Sequence, residues 1–124
     1  MTASLEGVRV LLVEDEYLVA SLIEEILETA GCIVTGPIPR LAEAVDAADR
    51  ERCDAAVLDV NLAGERIYPV ADILSRRNIP FVFVTGYGVL PGEYAKRPRL
   101  CKPFKMADLI DTLSDIVNTA PARH

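Results

Sequence analysis

Short, almost uninterrupted apolar runs alternate along this chain with segments whose apolar residues recur at helical spacing, and that alternation leaves few folds open. Val8-Arg9-Val10-Leu11-Leu12-Val13 is rich in β-branched residues and suits a strand covered on both faces. From Glu16 to Ala30 the period turns helical: Leu18, Leu22 and Ile26 are read on one face with Val19, Ile23 and Leu27, while Ser21, Glu24, Glu25 and Glu28 point away. Gly31 stops that helix. Cys32 to Thr35 is a second strand candidate, closed by Gly36 and Pro37, and Leu41, Ala44, Val45 and Ala48 mark a second helix. Ala55-Ala56-Val57-Leu58 is a third strand running into Asp59, and Pro69 opens a third helix carrying Val70, Ile73 and Leu74. After Pro80, Phe81-Val82-Phe83-Val84 is a fourth strand, and a weaker fifth ends at Leu100-Cys101. Met106, Leu109, Ile110, Leu113, Ile116 and Val117 form the stripe of a last helix, with Asp111 and Asp115 opposite.

Repeated strand–helix alternation with short connections predicts a five-stranded, doubly wound parallel sheet with helices on both faces. Gly86, Gly88, Pro91, Gly92 and Pro98 crowd the stretch where a fourth helix belongs. That helix is expected to be short or irregular: a mobile loop, or one or two turns from Gly92 to Lys96. A length of 124 residues fits one domain over 1–124, with a core over about 7–118 and a frayed tail at 119–124. No second domain is seen that would deliver an output.

Composition removes several classes of function. The net charge of −6 argues against a nucleic-acid binder. Cys32, Cys53 and Cys101 stand apart in no C-x-x-C pattern and read as reduced thiols of a cytoplasmic protein. Met1 to Gly7 lacks the basic-then-apolar pattern of a signal peptide, and no apolar segment approaches the ~20 residues that cross a bilayer. The only histidine is His124, which excludes Ser-His triads and His-ligated zinc.

Parallel α/β sheets bind ligands beyond the carboxyl ends of their strands. Glu14 and Asp15 follow the first strand, Asp59 ends the third, Thr85 follows the fourth and Lys102-Pro103 follows the fifth. Each has a plainer use: an acid pair caps a helix, a strand-terminal Asp forms a turn, Thr before Gly begins one, and a lone Lys is solvated. Their joint placement favours chemistry. Three crowded carboxylates raise one another's pKa unless a cation offsets them, and without His or paired Cys the oxygen ligands favour Mg²⁺. Asp59 can then attack phosphorus, with metal and Lys102 neutralising the phosphoryl oxygens and Thr85 donating to one of them.

The set Val13-Glu14-Asp15, Leu58-Asp59-Val60-Asn61-Leu62, Thr85-Gly86 and Lys102-Pro103-Phe104 resembles the response-regulator receiver family over roughly Val8 to Val117. The resemblance implies a flavodoxin-like sheet of order 2-1-3-4-5 and a phosphoacceptor at Asp59. It implies a Mg²⁺ site (Mn²⁺ able to substitute) of Glu14, Asp15, Asp59 and the Asn61 backbone carbonyl. Thr85 becomes the switch hydroxyl and Lys102 the phosphate-binding lysine, with a cis peptide before Pro103. The implied partners are a sensor histidine kinase or histidine phosphotransfer protein and a downstream protein, with no nucleic acid and no membrane, in a monomer or weak dimer. Tyr68-Pro69-Val70-Ala71-Asp72 with Phe83-Val84-Thr85-Gly86-Tyr87-Gly88 is similar to the FAT GUY subgroup of single-domain receivers, which occurs in alphaproteobacterial signalling around general stress responses and sensor histidine kinases.

Two departures matter. The aromatic switch residue usual three positions before the lysine is here Arg99, so the ring-rotation coupling cannot operate. Tyr87, two residues beyond Thr85, is expected to take part of that role or to cover the sheet edge; Asn61, Gly86 and Tyr87 are expected to tune hydrolysis or coupling. Val89 and Leu90 are read either as a partner contact or as buried against the last helix. An Asp-nucleophile phosphatase needs an acid two residues after the nucleophile, where this chain has Asn61, so the expectation is no enzyme beyond self-catalysed transfer and slow autodephosphorylation. A flavin carrier would need a phosphate-cradling loop where Glu14-Asp15-Glu16 stands. A binding module that is never phosphorylated is the remaining alternative.

Overall fold

The continuous apolar runs do pair side by side. In the computed structural model, which describes residues 5–86 and 90–119, β1 (Arg9–Val13), β2 (Ile33–Ile38), β3 (Ala55–Asp59), β6 (Phe81–Thr85) and β7 (Arg99–Cys101) form one sheet. Its order is β2-β1-β3-β6-β7 and every pairing is parallel, which is the predicted 2-1-3-4-5 arrangement of the five sheet strands.

Alternation along the central strands divides the core. Leu11, Val13, Ala56, Leu58, Phe81 and Phe83 face α2 (Leu41–Arg50) and α3 (Tyr68–Arg76), packing with Ala44, Ala48, Val70 and Leu74. Val10, Leu12, Ala55, Val57, Val82 and Val84 face α1 (Tyr17–Thr29) and α4 (Met106–Thr119), packing with Ile23, Leu27, Leu109 and Leu113.

The structure corrects several expectations. β2 does not stop at Gly36; it runs through Pro37 to Ile38. It is an edge strand, so the missing Pro37 N–H breaks no inner ladder, and the pairing with β1 shifts register between Leu11 and Val13. On α1, Leu18 and Leu22 are exposed (78% and 52%). They lie about 140° and about 100° round the helix from buried Ile23, outside the arc that a flat sheet can cover. Thr119 belongs to α4, its hydroxyl donating to the Asp115 carbonyl at 2.9 Å, and residues 120–124 lie outside the described residues.

In the breaker-rich stretch the only helical element among the described residues is a single 3₁₀ turn, Gly92–Tyr94. Leu90 is buried, on the α2–α3 side of the sheet and not against α4. Tyr94 fastens the turn: its ring stacks on Tyr68 at 4.3 Å, meets Phe83 edge-on, and its hydroxyl donates to Asp72 Oδ1 at 2.6 Å. Arg97 adds a second tie, donating to Ser75 Oγ at 2.9 Å with its guanidinium 5.1 Å from the Phe81 ring centre. Tyr87 and Val89 lie outside the described residues.

Candidate phosphoryl-acceptor and metal site

Each candidate residue leaves the carboxyl end of a strand. Glu14 follows β1 and its N–H donates to the Ile38 carbonyl; Asp59 ends β3, Thr85 ends β6, and Lys102 follows β7 with its N–H bonded to the Thr85 carbonyl at 2.8 Å. Glu14, Asp59 and Thr85 are buried, while Asp15 is exposed. Carboxylate oxygens of Glu14, Asp15 and Asp59 come within 4.8 Å of one another. Asp15 and Asp59 border a cleft of about 330 Å³ whose wall also includes Glu16, Asn61, Ala63, Gly64, Arg66, Thr85, Gly86 and Lys102. The Lys102–Pro103 peptide is cis.

Lys102 holds this acidic cluster together. Its Nζ lies 3.3 Å from Glu14 Oε1, 3.7 Å from Asp59 Oδ1 and 3.7 Å from Glu16 Oε1. One ammonium shared among three carboxylates leaves negative charge uncompensated. Burial first, then the hydrogen bond and charge of Glu14, push the Asp59 carboxyl from 3.8 up to about 8; Lys102 works against that rise. Burial opposes the charge on Lys102 itself, but Asp59 and Glu14 outweigh it and raise its pKa.

Backbone groups orient the other oxygens. Glu16 N–H donates to Glu14 Oε2 at 3.1 Å, Asn61 N–H reaches Asp59 Oδ1 at 3.4 Å, and Ala63 N–H donates to Asp15 Oδ2 at 3.1 Å. Glu14 Oε1 is buried with no hydrogen-bond partner; the approach of Lys102 is an ion pair without hydrogen-bond direction. A buried oxygen with a spare lone pair, beside two more carboxylates and no nitrogen or sulfur donor, fits a hard divalent cation such as Mg²⁺. The donors that could hold it are Glu14, Asp15 and Asp59, with the Asn61 carbonyl close by on the chain.

Residues 10–114 match the family model of the response regulator receiver domain. The chain belongs to the response regulator receiver family. This receiver is 30% identical over 113 residues to the transcriptional regulatory protein PdtaR of Mycobacterium tuberculosis, an overlap covering 85% of the chain and 54% of PdtaR. It thus spans about half the length of the curated relative it matches. SdrG from Sphingomonas melonis Fr1 is 38% identical with a TM-score of 0.80, over 90% of this receiver and 97% of that chain. The receiver domain of sensor histidine kinase PA1611 from Pseudomonas aeruginosa PAO1 is 29% identical with a TM-score of 0.79, over 91% and 99% of the two chains, and has a magnesium ion coordinated in its active-site cleft.

Not every singled-out residue joins the cleft of this receiver. Arg99 is exposed and turned aside, donating to the Ala95 carbonyl at 3.1 Å, so no guanidinium is buried in the place of the usual ring. Gly86 and Asn61 line the cleft. Two features escaped the sequence: Glu16 shares Lys102, and a two-stranded ribbon, β4 (Asn61–Leu62) and β5 (Glu65–Arg66), brings Ala63, Gly64 and Arg66 to the wall. The only signal for that ribbon is Gly64, since Ala63 is an unusual residue for a turn position at φ 52°.

Proposed function

We propose that this receiver takes a phosphoryl group onto Asp59 from a phosphohistidine of a sensor histidine kinase or histidine phosphotransfer protein. The observation that carries the reading is the placement of the Asp59 carboxylate: buried at the end of β3, within 3.7 Å of Lys102 Nζ, and facing an open cleft. An Asp59 oxygen attacks phosphorus, the P–N bond breaks, and its electron pair leaves with the imidazole; the product is an acyl phosphate and no proton is required from the receiver. Bound at Glu14, Asp15 and Asp59, Mg²⁺ supplies the charge that draws phosphoryl oxygens into an acidic cleft, with Mn²⁺ able to replace it. The Lys102 ammonium then pairs with a phosphoryl oxygen, and the Thr85 hydroxyl donates to another.

Hydrolysis of the acyl phosphate is slow in this reading, because Asn61 provides no general acid or base where a phosphatase of this kind places one. We therefore assign it a signalling role and no turnover activity. The Tyr68–Asp72 and Phe83–Gly88 segments favour reading it as a FAT GUY receiver, and the 38% identity to SdrG supports a receiver that signals through protein contacts. No helix among the described residues is long and apolar enough to cross a membrane.

The test is intact-mass spectrometry after incubation with acetyl phosphate and Mg²⁺, beside Asp59→Asn and a chelator control. One added phosphoryl group, lost in both controls, is the expected result. An adduct that persists in Asp59→Asn, or none in the wild type, overturns the assignment.

A further inference from the structure

The cleft wall carries a second cation that the scheme above does not use. Arg66 closes β5, and the antiparallel register sets it directly across from Asn61, so the two side chains leave the same side of the ribbon. Asn61 in turn follows Asp59 by two residues, with its N–H directed at Asp59 Oδ1. Both residues line the cleft with Asp59, Thr85 and Lys102.

The ribbon is a fixed support. Its tip is held by the Ala63 N–H on Asp15 Oδ2, and its base by the Ile67 N–H on the Val60 carbonyl at 3.1 Å. Its two-residue turn has positive φ at both positions, 52° at Ala63 and 87° at Gly64, the hairpin geometry that matches strand twist. A ribbon anchored at both ends presents Arg66 at a constant place. Lys102 is engaged by three carboxylates, whereas Arg66 makes no ion pair among the described residues.

Charge decides what that arginine is for. Glu14, Asp15, Glu16 and Asp59 set four carboxylates against the Lys102 ammonium, and a bound divalent cation still leaves one negative charge in the cleft. An incoming phosphoryl donor brings about two more. A guanidinium on the wall neutralises the cleft before the donor arrives, and its planar fork can take two phosphoryl oxygens at once.

We propose that Arg66 is a phosphoryl-binding residue of this receiver, holding two oxygens of the incoming phosphoryl group while Asp59 attacks and the bond to the leaving group breaks. The proposal rests on the assignment of Asp59 as acceptor. With acetyl phosphate as probe, the Asp59 O–P bond forms and the P–O bond to acetate breaks, acetate departing with the electron pair.

The experiment compares wild type with Arg66→Ala, Arg66→Lys and Arg66→Glu. Initial rates of Asp59 phosphorylation by acetyl phosphate are measured in Mg²⁺ at several ionic strengths, and Mg²⁺ binding to the unphosphorylated proteins is followed by calorimetry. Arg66→Ala is expected to slow phosphorylation about tenfold, the scale of one charge-assisted hydrogen bond to a partly hydrated group, and to flatten its salt dependence. Arg66→Lys recovers most of the rate and Arg66→Glu loses more. Mg²⁺ binding stays the same or tightens in Arg66→Ala, because a neighbouring positive charge is gone. Wild type phosphorylated on Asp59 with all variants within twofold overturns the role of Arg66 and leaves the receiver assignment standing. Equal loss in Ala and Lys variants together with weakened Mg²⁺ binding also overturns it, since that marks a collapsed ribbon. No phosphorylation of the wild type removes both.

Discussion

The hydroxyl of Tyr94 donates a 2.6 Å hydrogen bond to Asp72 Oδ1. It joins the 3₁₀ turn Gly92–Tyr94, between β6 and β7, to α3, and the Tyr68–Tyr94 stack continues the same seam toward the wall of the sheet. Burial, then the bond to Asp72, holds the phenol above its usual pKa. Tyr94→Phe, which keeps the stack, is expected to cost about 1 kcal/mol, and Tyr94→Ala roughly 2–4 kcal/mol. Urea unfolding of both, with Asp72→Asn to close a double-mutant cycle, measures the two parts; equal costs for Phe and Ala would mean the ring contributes nothing.

Metal and proton compete at Asp59. Its folded-state pKa, about 8, lies above the ordinary 3.8, so the stability tied to its protonated form is complete below about pH 4 and is lost as pH rises through 8. The metal-free protein should therefore melt at lower temperature at pH 8 than at pH 5. Mg²⁺ must displace that proton, so its apparent affinity should rise by up to about tenfold per pH unit below 8. Melting curves against Mg²⁺ at pH 6, 7 and 8 check both statements, and a metal-free melting temperature that is flat from pH 5 to 8 contradicts them.

Gly36 occupies φ 114°, and a Cβ there would stand 2.5 Å from the Leu12 carbonyl oxygen and 2.9 Å from the Ile38 nitrogen. Gly36→Ala should cost roughly 2–4 kcal/mol, because backbone on both sides must shift. Gly64, at φ 87° in the ribbon turn, has nothing within 4 Å of that position, so Gly64→Ala should cost only about 1 kcal/mol. Denaturant midpoints of the two variants provide the comparison, and the reverse order would contradict the β2 geometry.

The exposed side of α1 gives a fourth expectation. Leu18→Ser and Leu22→Ser should change stability by no more than about 0.5 kcal/mol, whereas Ile23→Ala should cost about 2–5 kcal/mol. Thermal melts of the three variants decide it. A large loss in Leu18→Ser would show that this face is covered in solution.

The central strands could be read from sequence because each is sheathed on both faces, which forces near-continuous apolar runs such as Val10–Val13 and Phe81–Val84. The convergence of Glu14, Asp15, Asp59, Thr85 and Lys102 followed from the same fact, since parallel strands deliver their carboxyl ends to one edge. What escaped was governed by tertiary context. Periodicity counted Leu18 and Leu22 as core because it records spacing and cannot tell how wide an arc the sheet accepts. Pro37 read as a stop because its tolerance depends on lying at an edge. The two-residue strands of the ribbon are too short to show a period, and nothing in the sequence around Arg66 points to the cleft; the ribbon's register is what sets it on the wall. Leu90, between Val89 and Pro91 in a stretch without a period, could be read as a partner contact or as buried against the last helix, and packing turns it instead toward α2 and α3.

The two borders of the sheet, β2 and β7, have a bearing on how this protein can evolve. β7 is three residues long, and β2 carries Pro37, with no N–H to give, beside a broken register. Neither border presents a long, even row of unused backbone groups, so strand-to-strand capture of a second chain is disfavoured, and with it the commonest route to aggregation. Recognition is thereby left to side chains on helices and loops. Those can be exchanged one at a time, so partner choice can drift while the sheet that carries the cleft stays as it is.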